Sequence, residues 1–253
     1  MKLVLIAALF TLTYAAPAAV RNNVLNYLTQ FGYLAEAKLN NPLYVVKAIK
    51  KLQRMAHIPE TGVIDEATIE FTNTPRCGVP DFENSQLRAF VPMPWSKRNL
   101  TYYLGNKSRH LTEQEYGDYL KLALDTWGKH AKLNFTRTLV VEDADIVSFF
   151  AVRDHGCGTP FDGEGGILAH GFYPNFYTPP NPKNGDIHFD DDEPWTINGH
   201  GRYFVRVALH ELGHSLGLEH SSVYGAIMFP AASYNRSTEL HQDDIVRIQK
   251  LYP

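Results

Sequence analysis

The stretch His210-Glu211-Leu212-Gly213-His214-Ser215-Leu216-Gly217-Leu218-Glu219-His220 carries residue types whose spacing suits metal chemistry. On a helix, positions i and i+4 face the same way, so His210 and His214 can hold one ion between their imidazoles. Gly217 tolerates a positive φ, which lets the chain leave the helix and bring His220 back as a third ligand. Three neutral nitrogens with one vacant position make the ligand set of a catalytic zinc rather than a structural one. Glu211, beside the first ligand, is placed to take a proton from water at such a metal. Met228 follows His220 by eight residues, a suitable distance for a turn beneath the ion.

These groups need a long helix, and Tyr203 to His214 supply one with an apolar side. Upstream, Leu100, Tyr102 and Leu104 alternate as a strand. Thr112 and Glu115 form a capping box for a helix bearing Tyr116, Leu120, Ala123 and Trp127 on one side. Ala144 to Ala151 reads as a well-buried strand with Asp145 in it. A loop-rich stretch, 154–200, comes next, and Asp243 to Leu251 reads as a last helix. Residues 20–75 form a separate helical unit. Val24, Leu28 and Phe31 share one helical face. Asn41 caps a second helix that starts at Pro42 and carries Val45, Ile49, Leu52 and Met55. Asp65 caps a third, short helix through Ile69. The expected class is α/β (α+β): a small helical segment followed by one mixed domain.

Composition bounds the function. Hydrophobic residues make up 44% and charged residues 20% of 253, as in an ordinary globular chain. The net charge is −3, and no half is basic, which argues against nucleic acid as a partner. Seven of eleven histidines fall between His155 and His220. Met1-Lys2, an apolar run and small residues at Thr13 and Ala15 read as a secretory signal peptide over 1–15. No other segment is apolar enough for a membrane anchor, and four sequons, at Asn99, Asn106, Asn134 and Asn235, fit a secreted glycoprotein. The expected location is extracellular.

Pro75-Arg76-Cys77-Gly78-Val79-Pro80-Asp81 resembles the cysteine switch of the matrix metalloproteinases. With the zinc helix, which matches the metzincin signature, it makes the chain resemble a minimal, matrilysin-type member without a hemopexin domain. The resemblance implies a small three-helix inhibitory propeptide over 16–85 and a metzincin catalytic domain over 86–253, with a twisted mixed sheet and a long zinc-binding helix. It also implies that Cys77 fills the vacant zinc position in the zymogen while Arg76 and Asp81 pair to fix the loop. Activation would cut somewhere near Ser85 to Phe90.

The resemblance extends to further sites. A structural zinc would be held by His155, Cys157, His170 and His188, with cysteine standing where the family has aspartate. A disulfide between Cys157 and Cys77, or a weakened site, is the alternative. Asp162, Asp190 and Glu193, with carbonyls of Gly163, Gly165 and Ile167, match a calcium site; the run 190–193 alternatively reads as a solvated acidic turn. Asp145 and Asp186 would serve a second calcium, against which stands the long, proline-rich segment 174–185. Ile167, Leu168 and Ala169 resemble the strand that pairs with an extended substrate. Arg206 occupies the position governing the depth of the pocket after the scissile bond, with Pro230 on its wall and Tyr234 displaced. Asp243 and Asp244 resemble the pair that anchors the new N-terminus and the Met228 turn. The function implied is a secreted, monomeric zinc endopeptidase acting on extracellular-matrix or cell-surface proteins, with an activating protease and protein inhibitors as partners. A non-catalytic matrix-binding protein retaining this fold is the alternative. An astacin- or adamalysin-type enzyme is disfavoured by the Cys77 motif.

Overall fold

A computed structural model describes residues 16–82, 93–174, 183–232 and 235–253. The leader over 1–15, the stretch from Ser85 to Phe90, most of 174–185 and Tyr234 lie outside the described residues. The N-terminal unit consists of α1 (Ala18–Gln30), α2 (Pro42–Met55) and α3 (Glu66–Thr72). Asn41 accepts from the Leu43 amide and Asp65 from the Thr68 amide, so both expected caps form. The third helix runs past Ile69 to Thr72. The three apolar faces close on Val24, Leu28, Phe31, Ile49 and Leu52. Buried Gln53 donates to Thr61 and Thr68 and accepts from the Gly62 amide, which ties the α2–α3 turn to the core.

The chain then enters β1 (Arg76–Cys77). The rest of its sheet is β2 (Asn99–Leu104), β3 (Asn134–Arg137), β4 (Ile146–Ala151), β5 (Ile167–Gly171) and β6 (Ile187–Asp190). Their order is β1-β5-β6-β4-β2-β3. Strands β3, β2, β4 and β6 run parallel, β5 is antiparallel to β6, and β1 lies parallel to β5. Parallel neighbours need a crossover, and α4 (Glu113–Ala131) supplies the one between β2 and β3. Both halves of the Thr112–Glu115 capping box form at its start. The strand expected to be well buried has no exposed residue: Ile146, Ser148 and Phe150 are buried, while Val147, Phe149 and Ala151 are half-buried. A short pair, β7 (Trp195–Thr196) and β8 (Arg202–Tyr203), leads into α5 (Phe204–Ser215), and α6 (Gln242–Leu251) closes the chain.

The zinc-signature helix, α5, is buried at every position but Val207, which is half-buried. Trp127 of α4 donates from Nε1 to the Leu209 carbonyl at 2.8 Å. The last carbonyls of a helix lack intrahelical partners. Trp95 Nε1 reaches Ser215 O at 2.9 Å, and Tyr252 Oη reaches Leu216 O at 2.8 Å. Beneath α5 sits Met228, fully buried. Its backbone amide and that of Ile227 donate to the Asp244 carboxylate at 3.1 and 2.7 Å, the anchorage expected of Asp244. Asp243 instead accepts from Ser221 Oγ at 2.7 Å.

Gly213 explains how α5 and the Met228 turn approach so closely. A Cβ built there would overlap the Met228 sulfur and crowd the Trp127 ring. Gly213→Ala is therefore expected to destabilise the protein by about 1–3 kcal/mol through overpacking, read as a lowered denaturant midpoint at unchanged slope.

Candidate metal centre and cleft

Four ligand atoms, from Cys77, His210, His214 and His220, lie within 4.8 Å of one another. His220 Nε2 is 3.1 Å from Nε2 of both His210 and His214. Each Nδ1 points away from this centre. That of His210 lies 2.7 Å from Ile227 O, that of His214 2.8 Å from Leu218 O, and that of His220 2.8 Å from Asp81 Oδ1. A ring nitrogen that donates outward leaves its partner nitrogen as a lone pair, so three lone pairs converge on one point. Burial also holds all three imidazoles below their usual pKa, in the neutral form that binds metal. Converging lone pairs repel unless a cation lies between them, and the donor set fits zinc.

Cys77 Sγ sits 3.5 Å from His214 Nε2 and 3.4 Å from Glu211 Oε2. Burial, reinforced by the Glu211 carboxylate, pushes its thiol pKa well up. A bound cation reverses that preference, because a coordinating thiol is deprotonated. Glu211 is fully buried, and its Oε1 has no hydrogen-bond partner among the described residues. Burial pushes its carboxyl up to about 8, a range suited to proton exchange near neutrality.

The strand carrying Cys77 fills the groove beside the metal centre. Arg76 N donates to Gly166 O and Gly78 N to Ala169 O, both at 2.8 Å. On the other side Cys77 N donates to Pro230 O at 3.1 Å and Ala232 N to Pro75 O at 2.8 Å. The expected substrate-pairing strand is thus already paired, by this chain and in the parallel sense.

Arg76 and Asp81 form the expected ion pair, fully buried, at 2.5 Å. Against the upward push of burial, Arg76 and His220 hold the Asp81 carboxyl well below the usual carboxylate range. Three contacts here were not anticipated. Tyr27 Oη accepts from Arg76 at 2.5 Å, Tyr33 Oη donates to Asp81 Oδ2 at 2.5 Å, and Asp81 also meets His220. Tyr27 shares the α1 face of Val24, Leu28 and Phe31, and a tyrosine on a core face needs a partner for its hydroxyl. That was the available signal. Nothing local marks Asp81 as the partner of a residue 139 positions downstream.

Next to Glu211 lies a cavity of about 150 Å³ lined by Leu168, Arg206, His210, Ile227 and Pro230. Arg206 is buried, and its guanidinium donates to the carbonyls of Gly225, Ala226 and Ser237 at 3.3–3.4 Å.

His155, Cys157, His170 and His188 form the second cluster, again with ligand atoms within 4.8 Å. Cys157 Sγ lies 3.0 Å from His155 Nε2 and 3.4 Å from His170 Nε2. Cys77 and Cys157 are both free thiols, each in its own cluster, so the alternative disulfide does not form. Asp162, Asp190 and Glu193 meet at one glycine-rich loop, where they accept from the amides of Ile167, Gly163 and Gly165. Asp145 pairs with Lys97 at 2.6 Å and accepts from the Thr101 amide, while Asp186 accepts from the Val147 amide. Among the described residues no helix is long and apolar enough to cross a membrane.

Comparison with known proteins places these features. Residues 94–253 match the family described as matrixin. Stromelysin-1 of Equus caballus is 42% identical over 82% of this chain and 43% of its own length. Interstitial collagenase of Sus scrofa is 39% identical over 92% and 48%, and matrix metalloproteinase-2 of Drosophila melanogaster 38% over 94% and 34%. The chain thus spans between a third and a half of these relatives' lengths. Residues 21–71 match a different family, described as putative peptidoglycan binding domain. This corrects the fold assigned to the N-terminal unit: it is a domain of that family, not a three-helix propeptide. The helices of this unit share a core around Leu28 and Leu52, into which Phe229 also packs. The catalytic-type domain carries the twisted mixed sheet and long helix expected, and with a family match covering more than half its length the chain belongs to the matrixins.

Proposed function

We propose that this chain is a secreted zinc endopeptidase held latent by Cys77. The observation that carries the reading is the convergence of three Nε2 atoms and one Sγ beside the unpartnered Glu211 Oε1. His210, His214 and His220 would hold a zinc ion, which would supply a Lewis acid for the carbonyl and lower the pKa of water to about 7. Glu211 takes the proton from the attacking water and returns it to the leaving amine. Substrate lies extended along Ile167–Ala169 once the Cys77 strand has left, and Arg206 limits the side chain accepted after the scissile bond. Extracellular-matrix or cell-surface proteins are the substrate class; the names matrix metalloproteinase-2 and interstitial collagenase support the matrix part of it. An activating protease cuts downstream of Asp81 to release the Cys77 segment, and protein inhibitors act on the open cleft.

The second cluster holds a structural zinc on one thiolate and three imidazoles. Burial keeps His170 and His188 far below their usual pKa, at about 3 and about 2, hence neutral and able to ligate. Calcium binds the loop of Asp162, Asp190 and Glu193, whose carboxyl pKa values burial raises and a cation would lower. A second calcium at Asp145 and Asp186 is less favoured, because Lys97 already pairs with Asp145.

Hydrolysis of a quenched peptide by the purified secreted chain tests the reading. Silence is expected first, then chelator-sensitive cleavage after a thiol-reactive mercurial; chelator-resistant cleavage would rule out zinc. Glu211→Gln should lower that activity by about 10²–10⁴-fold while zinc content stays unchanged. Arg76→Ala leaves Asp81 without its buried counter-ion, a loss on the order of 3–5 kcal/mol, and should give activity without mercurial. Elemental analysis should find two zinc ions per chain, and one in Cys157→Ala.

A further inference from the structure

Two of the four sequons converge in the fold. Asn99 opens β2 and Asn134 opens β3, and the two are direct partners in the parallel ladder. Both are exposed, and Asn134 Nδ2 donates to Asn99 Oδ1 at 3.0 Å. Neighbouring strands lie only about 4.8 Å apart, roughly the width of one sugar ring. The first residues of two glycans rooted on this pair would have to occupy the same space. The other sequons are placed differently: Asn106 gives its Nδ2 to Phe150 O at 2.7 Å, and Asn235 Oδ1 accepts from the Ser237 amide.

The surroundings give a glycan here a physical role. Strand β3 is the outer edge of the sheet, at the opposite end from the Cys77 strand. An unpaired edge is a template for pairing with another chain. Directly after it Leu139, Val140 and Val141 are exposed, Leu139 by 82%. A glycan on this pair shields edge and apolar run together and leaves the cleft clear, five strand spacings away.

We propose that Asn99 and Asn134 form a single glycan position, occupied at one or the other asparagine but never at both. The proposal rests on the secretory reading above. In the transfer, the amide nitrogen of one asparagine attacks the anomeric carbon of a lipid-linked oligosaccharide. The N–C bond forms, the carbon–oxygen bond to the diphosphate breaks, the diphosphate leaves with the electron pair, and one amide proton is lost.

The test is intact-mass counting of the full chain, secreted from cultured animal cells, in an Asn106→Gln, Asn235→Gln background that leaves only this pair. One glycan per molecule is expected. Asn99→Gln and Asn134→Gln added singly should each still carry one, and both together none. Molecules with two glycans, or secreted molecules with none, overturn the proposal. If Asn106→Gln impairs folding, glycopeptide mapping of the unaltered chain replaces it: occupancies at the two asparagines should sum to about one, and a sum well above one or near zero overturns it. Failure to reach the medium at all is a separate outcome, which sinks the secretory reading and this proposal with it.

Discussion

Everything at the metal centre depends on what stands behind three imidazoles: two hydrogen bonds and one close contact with a carboxylate. His210, His214 and His220 aim their Nε2 atoms at one point because each Nδ1 faces an oxygen behind it. Two of those oxygens are carbonyls of the same domain, at Ile227 and Leu218. Their positions follow from the Met228 turn under α5 and from the exit at Gly217. Asp244, buried beneath, holds that turn through two amides. The third oxygen comes from Asp81, beyond the catalytic-type domain. The Cys77 segment therefore does more than sit over the ligands, since it also orients one of them.

That arrangement links the two domains through charge as well as packing. Arg76 is buried against Asp81, with Tyr27 and Tyr33 from the helical domain completing the set. Phe229, from the loop after Met228, packs into the helical core, and His57 Nε2 lies 2.6 Å from Ser222 O. A buried pair contributes little net stability over apolar packing, but breaking it leaves a stranded charge. The network is thus better suited to fixing one geometry than to adding free energy.

Local pattern in the sequence was enough for much of this. Periodicity placed α2, α4 and α5, and caps at Asn41, Asp65 and Thr112 marked three helix starts within a residue. The two-residue alternation of Leu100, Tyr102 and Leu104 identified β2. What stayed hidden rests on contacts between distant residues. Asp81 meeting His220, Trp95 capping α5 and the parallel sense of β1 on β5 leave no periodic trace. The two cysteines show the same boundary: counting them allowed a disulfide, the resemblance gave each its own histidine cluster, and the fold keeps them apart there. The helical domain was legible as three helices, yet its family was not, because three short amphipathic helices serve many purposes.

The parallel seating of Cys77 on β5 has a kinetic consequence. Cys77 approaches Glu211 with a side chain, and the segment is held by its own chain on both sides, by β5 and by the loop at Pro230 to Ala232. A tethered group competes at an effective concentration on the order of millimolar, whatever its intrinsic affinity. A dilute free competitor would be at a disadvantage against it by mass action. One cut downstream of Asp81 changes the molecularity of the contact, and the same atoms then make a ligand that can be diluted away. The latency proposed for this chain would be a property of its connectivity.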